Sequence, residues 1–314
     1  MAIYITTNTA SLFAQRMLSN YQKELDTSMR RLASGLRINS AKDDPAGLQI
    51  SNRLTSEIEG LTQGNRNAMD GMSFAAVAEG AMDEMTNMYQ RIRTLALEAA
   101  TGTVSARDRQ ALQEEVSSLC AEIDRISKDT TFGGESIFER GEGERSISFQ
   151  VGAYAGQNIS MTLDPVVTRK NDAGENEEVR GGKWSVKSLA EALGVTDGLS
   201  SCDPDRYSGS DGMAFDISTP EGAQKVLEHI DSFIGAVDSK RAYFGAIQNR
   251  LESTVRYQSN TIENLSAARS RIRDTDYAAE VAEMMQKSIM MQVAQAILSQ
   301  ANQRPNIALK LLGL

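Results

Sequence analysis

The sequence predicts a mainly α fold: long antiparallel helices forming a terminal coiled-coil core, a helical-bundle layer that includes a β-hairpin, and a small α/β outer insertion. Three observations predict it. Heptad-spaced apolar residues run through both halves of the 314-residue chain. The stretch Val281 to Leu298, VAEMMQKSIMMQVAQAIL, is apolar on every side of a helix and needs partners all round. Only the middle alternates with a period of two or turns polar and glycine-rich. Few aromatics (5%) and five prolines in a chain that is 40% hydrophobic also suit helices better than an enzyme-like globule.

The elements follow in order. Met1 to Asn8 is polar and expected to be disordered in an isolated monomer. From Thr9, Leu18, Leu25 and Leu32 stand one heptad apart, with Met29 and Leu36 completing the seam and Gly35 weakening its end. Asp44 before Pro45 is an N-cap followed by proline at the first helical position. The helix it opens extends to about Ala100, roughly 80 Å at ~1.5 Å per residue. Five internal glycines mean that packing must hold it. Ser105 with Asp108 three residues on starts a third helix with a stripe of Leu112, Val116, Leu119, Ile123 and Ile126.

Ile147, Phe149 and Val151, then Ile159, Met161 and Leu163, alternate with polar residues around GAYAG, predicting a hairpin with a five-residue connection. Trp184 to Leu193 suggests a strand and a turn of helix, and Phe215 with Ile217 a further strand. Thr219, Pro220 and Glu221 open a long helix. Its seam is Ile230, Val237, Phe244, Leu251, Leu265 and Ile272, interrupted by Gln258 and weakened by Thr254 and Thr261. Asp274 is the expected cap of the last helix, and Arg304 with Pro305 its stop.

Several function classes are excluded or disfavoured. A charge of −9 opposes binding to nucleic acid. Gln286, Lys287, Ser288, Gln292 and Gln295 interrupt the apolar run too often for a membrane span. His229 is the sole histidine, no H-E-x-x-H is present, and no nucleophile, base, metal or cofactor set assembles, so no enzyme and no cofactor are expected. Asp203 to Gly212 clusters carboxylates without EF-hand spacing. Cys120 and Cys202 read as ordinary thiols. The opening MAIYITTNTASLFAQ has neither a basic nor an apolar leader region, so export by the general secretory route is not expected. One N-terminal helix cannot cover every face of Val281 to Leu298; further copies of the chain should cover the rest, and a surface repeated without closed symmetry builds a fibre.

The blocks SGLRINSAKDDPAGLQIS, RNAMDGMSFAAVAEGAMDE, QRIRTLALEAATGT, FQVGAYAGQNI, GAIQNRLEST, ENLSAARSRIRDTDYAAE and ILSQANQRP closely resemble bacterial flagellin. The resemblance implies a structural subunit of the extracellular flagellar filament, exported unfolded through the flagellar type III channel. A hook–filament junction protein is the alternative. Residues 1–42 and 274–314 would form the two halves of the filament core, and 43–164 and 219–273 those of the helical rod. Residues 165–218 would be a short outer insertion. Assembly residues are then expected at Leu18, Leu25, Leu32, Val281, Met284, Met285, Ile289, Met291, Ile297 and Leu298. The resemblance also implies an export chaperone at about Ala279 to Leu314, and contacts with filament cap and hook-associated junction proteins. Toll-like receptor 5 would contact Gln90, Arg91, Leu95 and Glu115, with Thr94 standing where the family motif has glutamate. A run of four methionines departs from the family's usual Gln/Leu-rich ending.

Overall fold

The computed structural model describes residues 7–138, 146–170, 176–180, 183–195, 197–201 and 212–311. The chain divides into two compact units, Met1–Glu59 with Thr261–Leu314, and Gly60–Asn260. Two helices, α2 (Pro45–Ala99) and α5 (Pro220–Arg273), run from one unit into the other. The expected disorder before Asn8 falls mostly on residues outside those described.

In the first unit, α1 (Thr9–Ser34) pairs antiparallel with α6 (Tyr277–Leu311). Asn8 caps α1 by accepting from the Ser11 N–H at 3.1 Å. Gly35 closes it at φ 72°, a left-handed turn that costs glycine little. Asp44 caps α2 through the Gly47 N–H at 2.9 Å, as the sequence predicts.

Two expectations about α6 are overturned. The cap is Asp276, whose Oδ1 accepts from the Ala278 and Ala279 N–H groups at 2.9 and 3.2 Å, not Asp274. The cause is a small clasp between connections. Arg37 N–H donates to Arg273 O at 2.7 Å and Thr275 N–H to Gly35 O at 2.9 Å, so Asp274 lies in an extended bridge with Leu36 and the helix cannot resume there. Nor does Pro305 stop α6, which continues to Leu311. Proline has no N–H for the carbonyl four residues back, that of Ala301. That carbonyl accepts from Asn8 Nδ2 at 2.8 Å instead.

The second unit holds the aromatic core. Ser105 caps α3 (Ala106–Asp129), accepting from the Asp108 N–H at 3.2 Å while its hydroxyl donates to the Asp108 carboxylate at 2.7 Å. Two short strands follow, β1 (Thr131–Phe132) and β2 (Glu135–Ser136). The predicted hairpin is β3 (Ser146–Gln150) with β4 (Asn158–Thr162), paired from Ser146↔Thr162 to Gln150↔Asn158. Its connection is Val151–Gln157 rather than GAYAG, because the Val151 and Gly152 N–H groups both turn onto Gln157 O. A second hairpin, β5 (Val166–Lys170) with β6 (Asn176–Arg180), was not legible in the polar sequence.

Trp184 to Leu193 contains no strand. Ser185 caps a two-turn helix, α4 (Val186–Leu193), and Gly194 closes it at φ 71°. Trp184 lies buried just before it, donating to Leu163 O at 2.9 Å, and Asp124 accepts from the Val186 N–H at 2.8 Å. Strand β7 (Leu199–Ser201) pairs with β8 (Met213–Phe215), as the apolar Phe215 suggests; Ile217 follows the strand, donating its N–H to Gln113 Oε1 at 2.6 Å. Tyr89, Phe215 and Phe233 meet at centroid distances of 5.0 to 6.3 Å. Burial, with Cys120 and Asp124 nearby, holds the Tyr89 phenol well above its ordinary pKa.

Gln258 is no weak spot in the α5 seam. It is buried and donates to the Val151 carbonyl at 2.6 Å, fastening the hairpin loop to the helix. Opposite it, Gly64 lets α2 approach so closely that a Cβ there would overlap the same carbonyl. Cys120 is buried. Cys202 and nearly all of the Asp203 to Gly212 cluster lie outside the described residues.

Candidate functional site on the terminal helices

On α6 the heptad line Glu280, Lys287, Ala294 and Ala301 lies against α1, joined at the companion positions by half-buried Met284, Met291 and Leu298. From α1 the matching line is Ser11, Leu18, Leu25 and Leu32, with Ala14, Tyr21 and Ser28 beside it. Small and polar residues therefore fill half the seam. Arg31 pairs with Glu280 at 3.4 Å, and Lys287 donates to Ser28 Oγ at 3.3 Å while bridging Glu283 at 2.7 Å. The Lys287 contact holds the Glu283 carboxyl below its usual range. Charged groups at seam positions specify register, since a shifted pairing would leave them unmatched.

The expected assembly residues consequently fall on two faces. Leu18, Leu25, Leu32, Met284, Met291 and Leu298 line the intrachain seam, and Val281 stands half-buried at its edge. Met285, Ile289 and Ile297 are 58, 60 and 50% exposed. Met29, expected in the seam, is exposed, its place taken by the smaller Ser28. Successive residues turn by ~100° around a helix. Met285 and Ile289 then stand on the side of α6 turned from α1, and Val293 and Ile297 continue this exposed apolar ridge round to the flank, where they meet residues of α1. Sequence reading missed Val293, Met290, Leu12 and Phe13, all exposed apolar residues of these helices. The adjacent Leu-Phe pair was the available signal. Phe13, Met17 and Tyr21 with Met290, Val293 and Ile297 bound an apolar cavity of about 200 Å³.

In the second unit, Gln90 and Arg91 are exposed on α2, and Arg91 donates to Glu115 on α3 at 2.7 and 2.8 Å. Thr94 is exposed and bonds back to Gln90 O. Leu95 is 1% exposed, so it belongs to the packed core and not to a contact surface; it shares the buried stripe of Ile92 and Ala99. His229 stands half-buried on α5. Among the described residues no group of three or more His, Cys, Asp and Glu could hold a metal, and no helix is long and apolar enough to cross a membrane.

Paired terminal helices that leave an apolar ridge exposed have the surface an assembly subunit requires. Family models described as the bacterial flagellin N-terminal helical region and C-terminal helical region match residues 5–142 and 227–312. Polar flagellin F of Vibrio parahaemolyticus is 38% identical across the full length of both chains, over 379 aligned positions, so that relative carries stretches this chain lacks. Flagellin A of Vibrio cholerae is 38% identical over 99% of this chain and all of its own. Among solved structures, the flagellin of Bacillus cereus matches with a TM-score of 0.41 and 23% identity over 65% of this chain and 94% of that one. The chain belongs to the bacterial flagellin family, whose members are structural proteins, and it is a subunit of the flagellar filament.

Proposed function

We propose that the subunit polymerises through the exposed apolar ridge of α6, with the α1–α6 pair forming the filament core. One observation carries this reading: Met285, Ile289, Val293 and Ile297 remain exposed although α6 has a complete intrachain partner in α1. Burying such a ridge gains about 25 cal/mol per Å² of apolar area, and only further copies repeat it along a fibre. In domain terms, residues 1–42 and 274–314 make that core, 43–164 and 219–273 the rod, and 165–218 the outer insertion.

The same ridge explains the need for an export chaperone at about Ala279 to Leu314, which would mask it before the chain leaves unfolded through the flagellar type III channel to the extracellular filament. The family relation further supports contacts with the filament cap and hook-associated junction proteins. Recognition by Toll-like receptor 5 would use Gln90, Arg91 and Glu115. The Arg91–Glu115 pair presents a charged surface there.

Filament seeds added to the full chain, and to a chain carrying Ile289→Asp and Ile297→Asp, test assembly by light scattering and electron microscopy. Long filaments from the unaltered chain and none from the helical, monomeric variant are expected. Equal growth of both would remove the ridge from assembly. For the receptor, Arg91→Ala should abolish reporter activation by monomer, and unchanged activation would refute the contact.

A further inference from the structure

We infer that Met285 and Met290 form an oxidation site that switches the subunit between assembly-competent and assembly-incompetent states; the inference rests on the assembly reading above. Both thioethers belong to the run M284-M285…M290-M291, yet the helix treats the four differently. Met284 and Met291 are half-buried in the seam with α1. Met285 is among the most exposed apolar residues of α6, and Met290, 40% exposed, lines the apolar cavity beside Phe13 and Ile297. By contrast Met82, Met85 and Met161 of the second unit are fully buried. An oxidant in solution therefore reaches the Met285 sulfur on the outward side of α6 and the Met290 sulfur at the cavity beside α1, both within the apolar surface that the proposed assembly would cover.

The chemistry is a two-electron oxygen transfer from a peroxide. The Sδ lone pair attacks one peroxide oxygen, the O–O bond breaks as the S–O bond forms, and a proton moves to the departing oxygen. Hydrogen peroxide leaves as water, and the sulfur is oxidised to sulfoxide. The product carries a strong S–O dipole where the ridge was apolar. Burying it against Ile289, Val293 or their copies strips its water without supplying a donor. Oxidised monomers should therefore stop adding to a growing end. Sulfurs already covered by a neighbour are shielded, so the switch acts on free subunits and spares the filament built from them. A reductase specific for methionine sulfoxide reverses it.

The full-length chain is treated with hydrogen peroxide, its sulfoxides are mapped by mass spectrometry, and it is added to seeds beside an untreated sample. Elongation should fall about tenfold or more as Met285 and Met290 oxidise, and methionine sulfoxide reductase should restore it. The variant M285L/M290L keeps the exposed Met29 and Met69 and changes side-chain volume little. It should elongate at the same rate before and after peroxide. Preformed filaments given the same dose should retain both thioethers. Unaltered growth of a chain oxidised at both positions, or equal peroxide sensitivity of M285L/M290L, overturns the inference. Should the leucine variant fail to grow even untreated, rescue of the oxidised wild-type chain by the reductase decides: restored growth supports the switch and no restoration refutes it. Failure of the untreated chain to extend seeds would instead refute the assembly reading on which the switch rests.

Discussion

The unit Gly60–Asn260 buries Tyr89, Phe138, Trp184, Phe215, Phe233 and Phe244 almost completely, whereas the unit of the chain ends places alanine, serine and charged pairs between its helices and leaves Leu12, Phe13, Met285, Ile289 and Ile297 in solvent. Apolar residues are not scarce in the second case; they point the other way. The first arrangement gains its stabilisation within one chain. In the second the intrachain seam fixes register, and under the proposed assembly the exposed apolar residues are left for contacts with other copies.

Substitutions in the two units test that contrast. Phe233→Ala should cost about 3–5 kcal/mol, because it opens a cavity among three rings, and should appear as a lower denaturant midpoint for the monomer. Asn8→Ala should cost about 1–2 kcal/mol by removing both the cap of α1 and the donor to the Ala301 carbonyl, read as faster amide exchange at the start of α1 and in α6. A smaller effect is expected from acid at the turn between α1 and α2. Asp43 accepts from the Ser40 N–H and hydroxyl at 2.9 and 3.0 Å, then from the Asn39 N–H, with Arg30 nearby, and these contacts hold its carboxyl below the ordinary range. A carboxyl whose folded pKa is lowered contributes fully above its unfolded value, about 3.9, and the contribution vanishes as pH falls through the folded one. Protection of the Ser40 and Asn39 amides should thus hold down to about pH 4 and decline below it. Ile289→Ala should shift monomer stability by less than ~0.5 kcal/mol while slowing seed elongation, the inverse of a core substitution of similar size.

Much of this organisation was readable from the residues. Asp44, Ser105 and Thr219 cap the helices the sequence assigned to them, since a short oxygen-bearing side chain before an apolar stripe has one efficient use. The hairpin's alternation survived, and so did the α5 heptad. Other features depended on partners distant in sequence. Asp274 and Asp276 are equivalent by local chemistry, and only the clasp to Gly35 and Arg37 separates them. The seam of α1 runs beside Ala14 and Ser28, which count for little in a search for large apolar residues, and so Met29 was misplaced. Leu95 matched a motif, but its turn of helix points it into the core. The strands β5 and β6 lie in polar text without a hydrophobic period to reveal them.

The bond from Asn8 to the Ala301 carbonyl joins residues 293 apart in the chain. On a ribosome adding ~5–20 residues per second, α1 leaves the tunnel roughly 10–50 s before Glu280, the first residue of its pairing line, is made. For that interval α1 is a half-finished object with no mate in existence. The subunit's vulnerability to wrong partners is thus set by the clock of its own synthesis, and it begins before the last tenth of the chain has been translated.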